Sequence, residues 1–198
     1  LVAKTNIFNW LTLRAKDYTD PWAPLEKINL CESELSTQIR QHSITILSGW
    51  NIRCWEYIEK YKSTVQQLFL PQPSIINEGN VLISNLRTHF DLVVGVFMRH
   101  GDYRTWMDGK YYFDIAQYNR WMEQVKSYYN QKNICFLISS EQQISSDDIS
   151  LDNFYFSNGS ANKGGSALQA QYELSCCDII ISVPSTFSAW AAFIGGKP

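Results

Sequence analysis

Polar side chains follow strand-like apolar runs at three places in the second half of the chain. They lie at residues 99–103, 139–141 and 184–188. Arg99 carries a guanidinium that can bind a phosphate through two charge-assisted hydrogen bonds. Glu141 carries a carboxylate that can accept N–H donors from a base such as guanine, or hydroxyls from a ribose. Side chains of these types are suited to binding a nucleotide.

A segment rich in hydroxyl groups opens the last helical pattern of the chain. It consists of Ser185, Thr186, Phe187 and Ser188. The unpaired N–H groups of a helix N-terminus, together with neighbouring hydroxyls, can bind a phosphate. No metal cage and no glycine-rich loop are evident, so Arg99 must neutralise the charge that develops on a departing diphosphate. We therefore predict an anion or nucleotide site without a metal.

The apolar pattern around these side chains predicts an α/β domain. Apolar runs of strand length occupy residues 91–98, 133–139, 153–156 and 178–183, and helical patterns occupy residues 114–129, 166–177 and 186–194. Strands that are apolar on both faces are typical of a Rossmann-like parallel sheet covered by helices. Ligands of such sheets bind beyond the carboxyl ends of the strands, which is where Arg99, Glu141 and Ser185 fall. Asp114 is the expected N-cap of the first of these helices.

The first 85 residues follow a different pattern. Residues 55–69 place apolar side chains at helical spacing, and Pro71 ends that pattern. Residues 32–47 hold a second helical pattern, and no strand-like run is evident before Val81. We therefore divide the chain into a mostly helical, loop-rich segment, residues 1–85, and an α/β nucleotide-binding domain, residues 86–198.

The composition excludes several classes of protein. The chain has 198 residues, of which 45% are apolar, so it can build a core and is not disordered throughout. The formal net charge is −2 and no long basic run occurs, which argues against a nucleic-acid partner. No apolar stretch of about 18 residues is present, so we expect no transmembrane segment.

The cysteines and histidines form no recognisable metal motif. Five cysteines occur without a CxxC pair, and the three histidines have no ligand spacing. We expect free thiols in a reducing compartment. No signal peptide is visible, so the expected location is the cytoplasm, with a peripheral position at a membrane left open. The chain begins at Leu1 rather than Met and ends at Pro198, which leaves open that it belongs to a longer protein, truncated at the C-terminus.

Three segments resemble the motifs of GDP-fucose-dependent fucosyltransferases, a superfamily that includes α1,2-, α1,6- and protein-O-fucosyltransferases. Residues 94–103, VGVFMRHGDY, are similar to its HxRRGD-type segment. Residues 136–141, FLISSE, resemble its middle motif, a strand that ends in Ser/Thr-Asp. Residues 176–190, CCDIIISVPSTFSAW, resemble its last motif, which precedes the phosphate-binding helix. Order and approximate spacing agree over about residues 90–198.

The resemblance implies a metal-independent, inverting transferase of the GT-B type, with GDP-fucose as donor, a glycan as acceptor and no further cofactor. Arg99 falls on the donor-diphosphate arginine, where it would act catalytically by stabilising the departing GDP. His100, Gly101 and Asp102 fall in the same donor-binding segment. Glu141 falls on the acidic residue that contacts the nucleoside, and residues 185–188 fall on the segment that binds the β-phosphate and lines the fucose pocket. Residues 1–85 would then be a remnant of, or a link to, an acceptor-side domain.

The chain also departs from the family pattern. Phe97 stands where the family has a histidine, which puts selectivity for guanine in doubt. His100 replaces the second arginine, and Glu141 replaces an aspartate. Asp147 or Asp148, a few residues later, could supply the acid instead. The glycine-rich segment of the family is absent, and no general base can be assigned.

Two other functions remain open from the residues alone. Histidine phosphatases also place Arg-His-Gly directly after a strand, with the histidine as nucleophile, as in Arg99-His100-Gly101. Those enzymes need a second histidine later in the domain, and none follows His100 here. The other alternative is a non-catalytic module that binds a sugar or a nucleotide. Phe97, Glu141 and the missing glycine-rich segment favour that alternative.

Overall fold

The structure is a computed structural model that describes residues 10–14, 28–49 and 52–197. The chain divides into two compact units, Leu1–Phe69 and Leu70–Pro198. Both units contain helices and parallel strands, which confirms the predicted α/β class. Across the described residues, no helix combines the length and the apolar character needed to cross a bilayer.

The first unit contains strands as well as helices. Its described elements are β1 (Trp10–Arg14), β2 (Ile28–Asn29), α1 (Ser33–Gln41), β3 (Ile44–Ser48), β4 (Ile52–Arg53), α2 (Trp55–Lys60) and α3 (Lys62–Leu68). β1 pairs in parallel with β3, and β2 pairs in parallel with β4. The prediction that no strand precedes Val81 is therefore wrong. The strands are too short for a clear alternation pattern, and each pairs with a segment distant in the chain.

Two helical patterns in this unit each form two elements instead of one. The pattern over residues 32–47 forms α1 and then β3, because the β-branched residues at 44–46 favour extended backbone. The pattern over residues 55–69 forms α2 and α3, which meet at Tyr61. The backbone of Tyr61 has φ −112° and ψ 19°, outside the helical region.

The second unit alternates strands and helices as the apolar pattern predicts. Its elements are α4 (Pro73–Arg87), β5 (Leu92–Met98), α5 (Ile115–Tyr128), β6 (Ile134–Ser140), β7 (Phe154–Phe156), α6 (Ala167–Ser175), β8 (Ile179–Ser182) and α7 (Thr186–Gly195). The four predicted strands and three predicted helices are confirmed, with small shifts at their ends. α4 was not predicted; it begins at Pro73, a residue favoured in the first turn of a helix.

The four strands of this unit form one parallel sheet in the order β7-β6-β5-β8. The chain starts at β5, moves outward through β6 and β7, and then returns to place β8 on the other side of β5. This order matches four neighbouring strands of a Rossmann fold, 3-2-1-4, and the progression of strands along the sheet reverses between β5 and β8. The carboxyl ends of these two strands therefore border the crevice in which such sheets bind ligands.

Helices cover both faces of the sheet. Val94, Val96 and Met98 of β5 pack in one apolar cluster with Tyr118 and Met122 of α5. The alternate residues Val93 and Phe97 of β5 belong to two clusters on the other side of the sheet. One contains Ile83, Leu86, Val93, Cys135, Leu137 and Cys177, and the other contains Phe97, Leu174 and Ala191. These residues belong largely to α4, α6, α7 and the strands. The sheet is thus buried between layers of helices, as its apolar strands require.

Candidate active site

The candidate site lies at the carboxyl ends of β5, β6 and β8, on one edge of the sheet. The last residues of β5 and β6 pair with each other, Met98 with Ser140. The last residue of β8, Ser182, pairs with Phe97 of β5. The three segments that follow carry the predicted site residues, and they leave the sheet side by side next to the crevice.

The Arg99 guanidinium contacts two carboxylates and an aromatic ring. Its Nη2 lies 2.6 Å from Asp102 Oδ1, and its Nη1 lies 3.6 Å from Glu141 Oε1. The guanidinium carbon lies 5.2 Å from the centre of the Tyr103 ring, within range of a cation–π contact. The backbone N–H of Arg99 donates a hydrogen bond to the Tyr118 hydroxyl at 3.2 Å. The side chain is still 29% exposed, so these contacts do not bury it completely.

Glu141 lies against the turn that follows β5. Its Oε1 accepts a hydrogen bond from the backbone N–H of His100 at 2.8 Å. A Cβ at Gly101 would lie 2.9 Å from the same oxygen, so glycine leaves room for the carboxylate there. The contacts with Arg99 and His100 therefore run through one oxygen of Glu141. The contact of Glu141 with a nucleoside, which the family resemblance implies, stays a prediction.

The His100 side chain points into the protein rather than outward. It is 3% exposed, and its Nε2 lies 3.0 Å from the carbonyl oxygen of Phe113, to which it donates. Its ring packs against the rings of Tyr112 and Tyr118, at 5.3 and 6.0 Å between centroids. Burial lowers the pKa of this imidazole, so it is neutral near pH 7. A buried ring with one nitrogen bound to a carbonyl is poorly placed to act as a phosphatase nucleophile.

The N-terminus of α7 borders the crevice from the side of β8. Ser185 caps the helix, since its hydroxyl accepts a hydrogen bond from the Phe187 N–H at 3.2 Å. The Ser188 hydroxyl is buried and donates to the Ser185 carbonyl, whereas Thr186 is exposed. The Phe187 ring stacks on Phe97 at 4.4 Å between centroids. The two phenylalanines thus anchor the start of α7 to β5.

Tyr103 and Tyr118 contribute to the site although the sequence analysis did not select them. The Tyr103 hydroxyl donates to the carbonyl oxygen of Pro184 at 2.8 Å, which joins the turn after β5 to the residue before the α7 cap. Burial raises the pKa of Tyr103, and a hydrogen bond with Ser185 and the charge of Arg99 oppose that shift in part. The only sequence signal was that Tyr103 ends the first motif-like segment and Tyr118 lies on the apolar face of α5.

The alternative acids lie on a separate turn. Asp147 and Asp148 belong to a short 3-10 helix, Ser146–Asp148, and both are exposed. This turn is tied to α5, because the Asn119 amide donates to the carbonyl oxygen of Asp148 at 2.8 Å. No contact joins these carboxylates to Arg99 or Glu141 within the described part of the chain. Their part in donor binding stays a prediction.

The cysteines, all of which lie in the described ranges, are free thiols. Cys135 and Cys177 are buried, and the other three are partly buried. Burial raises the pKa of the Cys177 thiol well above its ordinary value. Within the same ranges, no three side chains of His, Cys, Asp or Glu lie close enough together to hold a metal ion.

Comparison with known families connects this geometry to an enzyme class. The sequence of residues 47–198 matches glycosyl transferase family 11, the family of α1,2-fucosyltransferases. The chain belongs to glycosyl transferase family 11. The match begins well before the motif-like segments, so the family extends over more of the chain than the resemblance from residue 90 indicated. No curated protein gave a significant match.

Membership of family 11 supports one of the three functions that the sequence left open. The chain is a glycosyltransferase of the fucosyltransferase type. A glycosyltransferase needs a donor and an acceptor. In this family 11 enzyme, the Arg99 guanidinium faces two carboxylates, those of Asp102 and Glu141, so any anion that binds Arg99 competes with them. Asp102 is the more exposed of the two, with 62% of its side chain accessible.

Proposed function

We propose that this enzyme transfers fucose from GDP-fucose to a glycan hydroxyl, with inversion at the anomeric carbon and without a metal ion. Residues 86–198 would serve as the donor half of a GT-B arrangement. The observation that carries the proposal is the convergence of Arg99 and the N-terminus of α7 on the crevice between β5 and β8. Tyr103 connects these two parts through its contact with Arg99 and its hydrogen bond to Pro184.

The proposed reaction forms a bond between the acceptor oxygen and the fucose anomeric carbon while the bond from that carbon to the β-phosphate oxygen breaks. The electron pair of the broken bond leaves with GDP. Arg99 and the positive end of the α7 dipole would stabilise the charge that develops on the diphosphate. Inversion requires the acceptor to attack from the face opposite to GDP. The proton of the acceptor hydroxyl passes to a general base.

Donor binding requires a change of partners at Arg99. Two oxygens of a diphosphate offer the guanidinium the same bidentate geometry as a carboxylate, with more negative charge. We therefore expect the donor to displace Asp102, which is exposed, while Glu141 stays in place. His100, Gly101 and the hydroxyls of Ser185 and Ser188 would shape the turn and the helix cap around the diphosphate.

The first test is thermal unfolding with GDP-fucose and GDP, with UDP, ADP and phosphate as controls. A ligand at about 100 times its Kd adds about 2.7 kcal/mol to stability, and each kcal/mol shifts the Tm of a chain of this size by about 2–4 °C. We expect a shift with the guanine nucleotides that disappears in Arg99→Ala. The absence of a shift with any nucleotide would contradict the proposed donor site.

Transfer and its stereochemistry need a second experiment. The enzyme is incubated with GDP-fucose and a panel of glycans, with and without EDTA, and the product linkage is read by NMR. We expect an anomeric configuration opposite to that of the donor and the same rate in EDTA. Loss of transfer in EDTA that added Mn²⁺ restores would contradict the metal-independent mechanism.

A cytoplasmic location is also part of the proposal. Its support is the five free thiols, since disulfides form readily in oxidising compartments. Fractionation of cells that express the protein would test it, and recovery in a secreted fraction would contradict it.

A further inference from the structure

The family resemblance implies that Glu141 contacts the nucleoside, and in the structure its carboxylate contacts the turn that follows β5. We propose that Glu141 is a positioning residue, which holds the turn after β5 and thereby orients Arg99 toward the donor diphosphate. The inference rests on the proposed function, because it assigns Glu141 a place in the same donor site.

Glu141 lies next to Arg99 at the end of the neighbouring strand. Because Met98 pairs with Ser140, Arg99 and Glu141 leave two hydrogen-bonded strands at the same level. Glu141 Oε1 accepts the His100 N–H at 2.8 Å and lies 3.6 Å from Arg99 Nη1. The same oxygen would lie 2.9 Å from a Cβ at Gly101, so the turn passes closely around the carboxylate.

The surroundings of Glu141 strengthen its contact with the turn. Its side chain is 28% exposed, so solvent only partly screens its interactions. Hydrogen bonds to an ionised acceptor are stronger than neutral ones. Loss of the bond from Oε1 to the His100 N–H would release the turn and leave Arg99 with Asp102, its exposed partner. We therefore expect the loss of the Glu141 carboxylate to weaken the binding of every diphosphate, with or without a base.

The test compares the Kd values of GDP and inorganic pyrophosphate, measured by calorimetry on the full chain. The variants are Glu141→Ala, which removes the acceptor, and Glu141→Gln, which keeps an amide oxygen for the His100 N–H. Glu123→Gln, at an exposed carboxylate of α5, is the matched control. We expect Glu141→Ala to weaken both ligands alike, by about ten- to a hundredfold, as loss of a charged hydrogen bond would. Glu141→Gln should bind both ligands with affinities near those of the wild-type protein.

Two other sets of Kd values would overturn the proposal. If Glu141→Gln weakens GDP but leaves pyrophosphate unchanged, Glu141 contacts the nucleoside. If Glu141→Ala changes neither Kd, the residue orients nothing. If the unaltered protein binds neither ligand, the proposed function itself fails, which is a separate result from the first two.

A second variant tests the same contact from the opposite side. Gly101→Ala places a methyl group against Glu141 Oε1 and should weaken both ligands as Glu141→Ala does. Because the two changes remove one contact, the double variant should be no worse than the worse single one. If the losses of affinity in the two single variants add up in the double variant, the proposal is contradicted. Hydrogen exchange of the His100 amide gives an independent measure, and we expect it to be slow in Glu141→Gln and fast in Glu141→Ala.

Discussion

Arg99 has two acidic neighbours that differ in exposure, and this difference predicts which one the donor displaces. Asp102 is 62% exposed and Glu141 only 28%. Exposed ion pairs contribute little, about 0.2–1 kcal/mol, so Asp102 should be the weaker competitor for the guanidinium. We expect Asp102→Asn to tighten pyrophosphate binding by a few fold at low salt, measured by calorimetry. Asp152→Asn is the control, and weaker binding in Asp102→Asn would show that the carboxylate helps to hold the anion.

Glu173 is a buried carboxylate outside the site, and its proton should affect stability. It is fully buried in α6 and accepts a hydrogen bond from the Ser157 hydroxyl at 2.6 Å. Burial raises the pKa of Glu173 above its ordinary value of 4.5, and the Ser157 bond offsets this only in part. The folded state therefore holds the proton more tightly than the unfolded state. The resulting stability is present at low pH and is lost as the pH rises through the folded-state pKa.

Glu173→Gln keeps the shape and an acceptor oxygen but removes the titration. We expect its free energy of unfolding, relative to that of the wild-type protein, to increase as the pH rises above 4.5 and then to level off. Urea denaturation of both proteins across that range measures the difference. A difference that does not change with pH would contradict a raised pKa at Glu173.

At the scale of elements, the contact between α6 and β5 depends on a glycine. A Cβ at Gly95 would lie 2.8 Å from Leu174 Cδ2 and 3.1 Å from Cys177 Sγ. We expect Gly95→Ala to destabilise the protein by about 1–3 kcal/mol, as overpacking of a core does. Urea denaturation measures the loss, and a second change, Leu174→Ala, should recover part of it by making room. An unchanged stability in Gly95→Ala would show that α6 can move away.

Apart from α4, the helices and strands of the second unit were predictable because their patterns are local. Asp114 caps α5 as expected, since its side chain accepts the Gln117 N–H at 2.8 Å. The first unit was less predictable, since its strands are stabilised by pairing with distant partners such as Trp10 with Ile44. A short apolar run fits a helix or a strand equally well until its partner is known.

At the scale of the molecule, the apolar clusters formed by the described residues lie in the second unit. Their buried residues run from Ile83 to Ala191. We expect residues 70–198, expressed alone, to unfold cooperatively and to bind pyrophosphate as the full chain does. Circular dichroism during thermal unfolding, with calorimetry for binding, measures both properties. Gradual unfolding of this fragment would show that the second unit needs residues 1–69.

The sequence by itself determined which residues could do the chemistry and in which order the elements follow. Apolar runs, caps and motif-like segments are local, so they placed Arg99, Glu141 and Ser185 each after its own strand. Only the tertiary structure decided which strands are neighbours and what each side chain contacts. It set β8 beside β5, bound Glu141 to the turn at His100, and linked Tyr103 to Pro184 across 81 residues of chain. Such contacts depend on how helices pack across both faces of the sheet, and no local pattern encodes that packing.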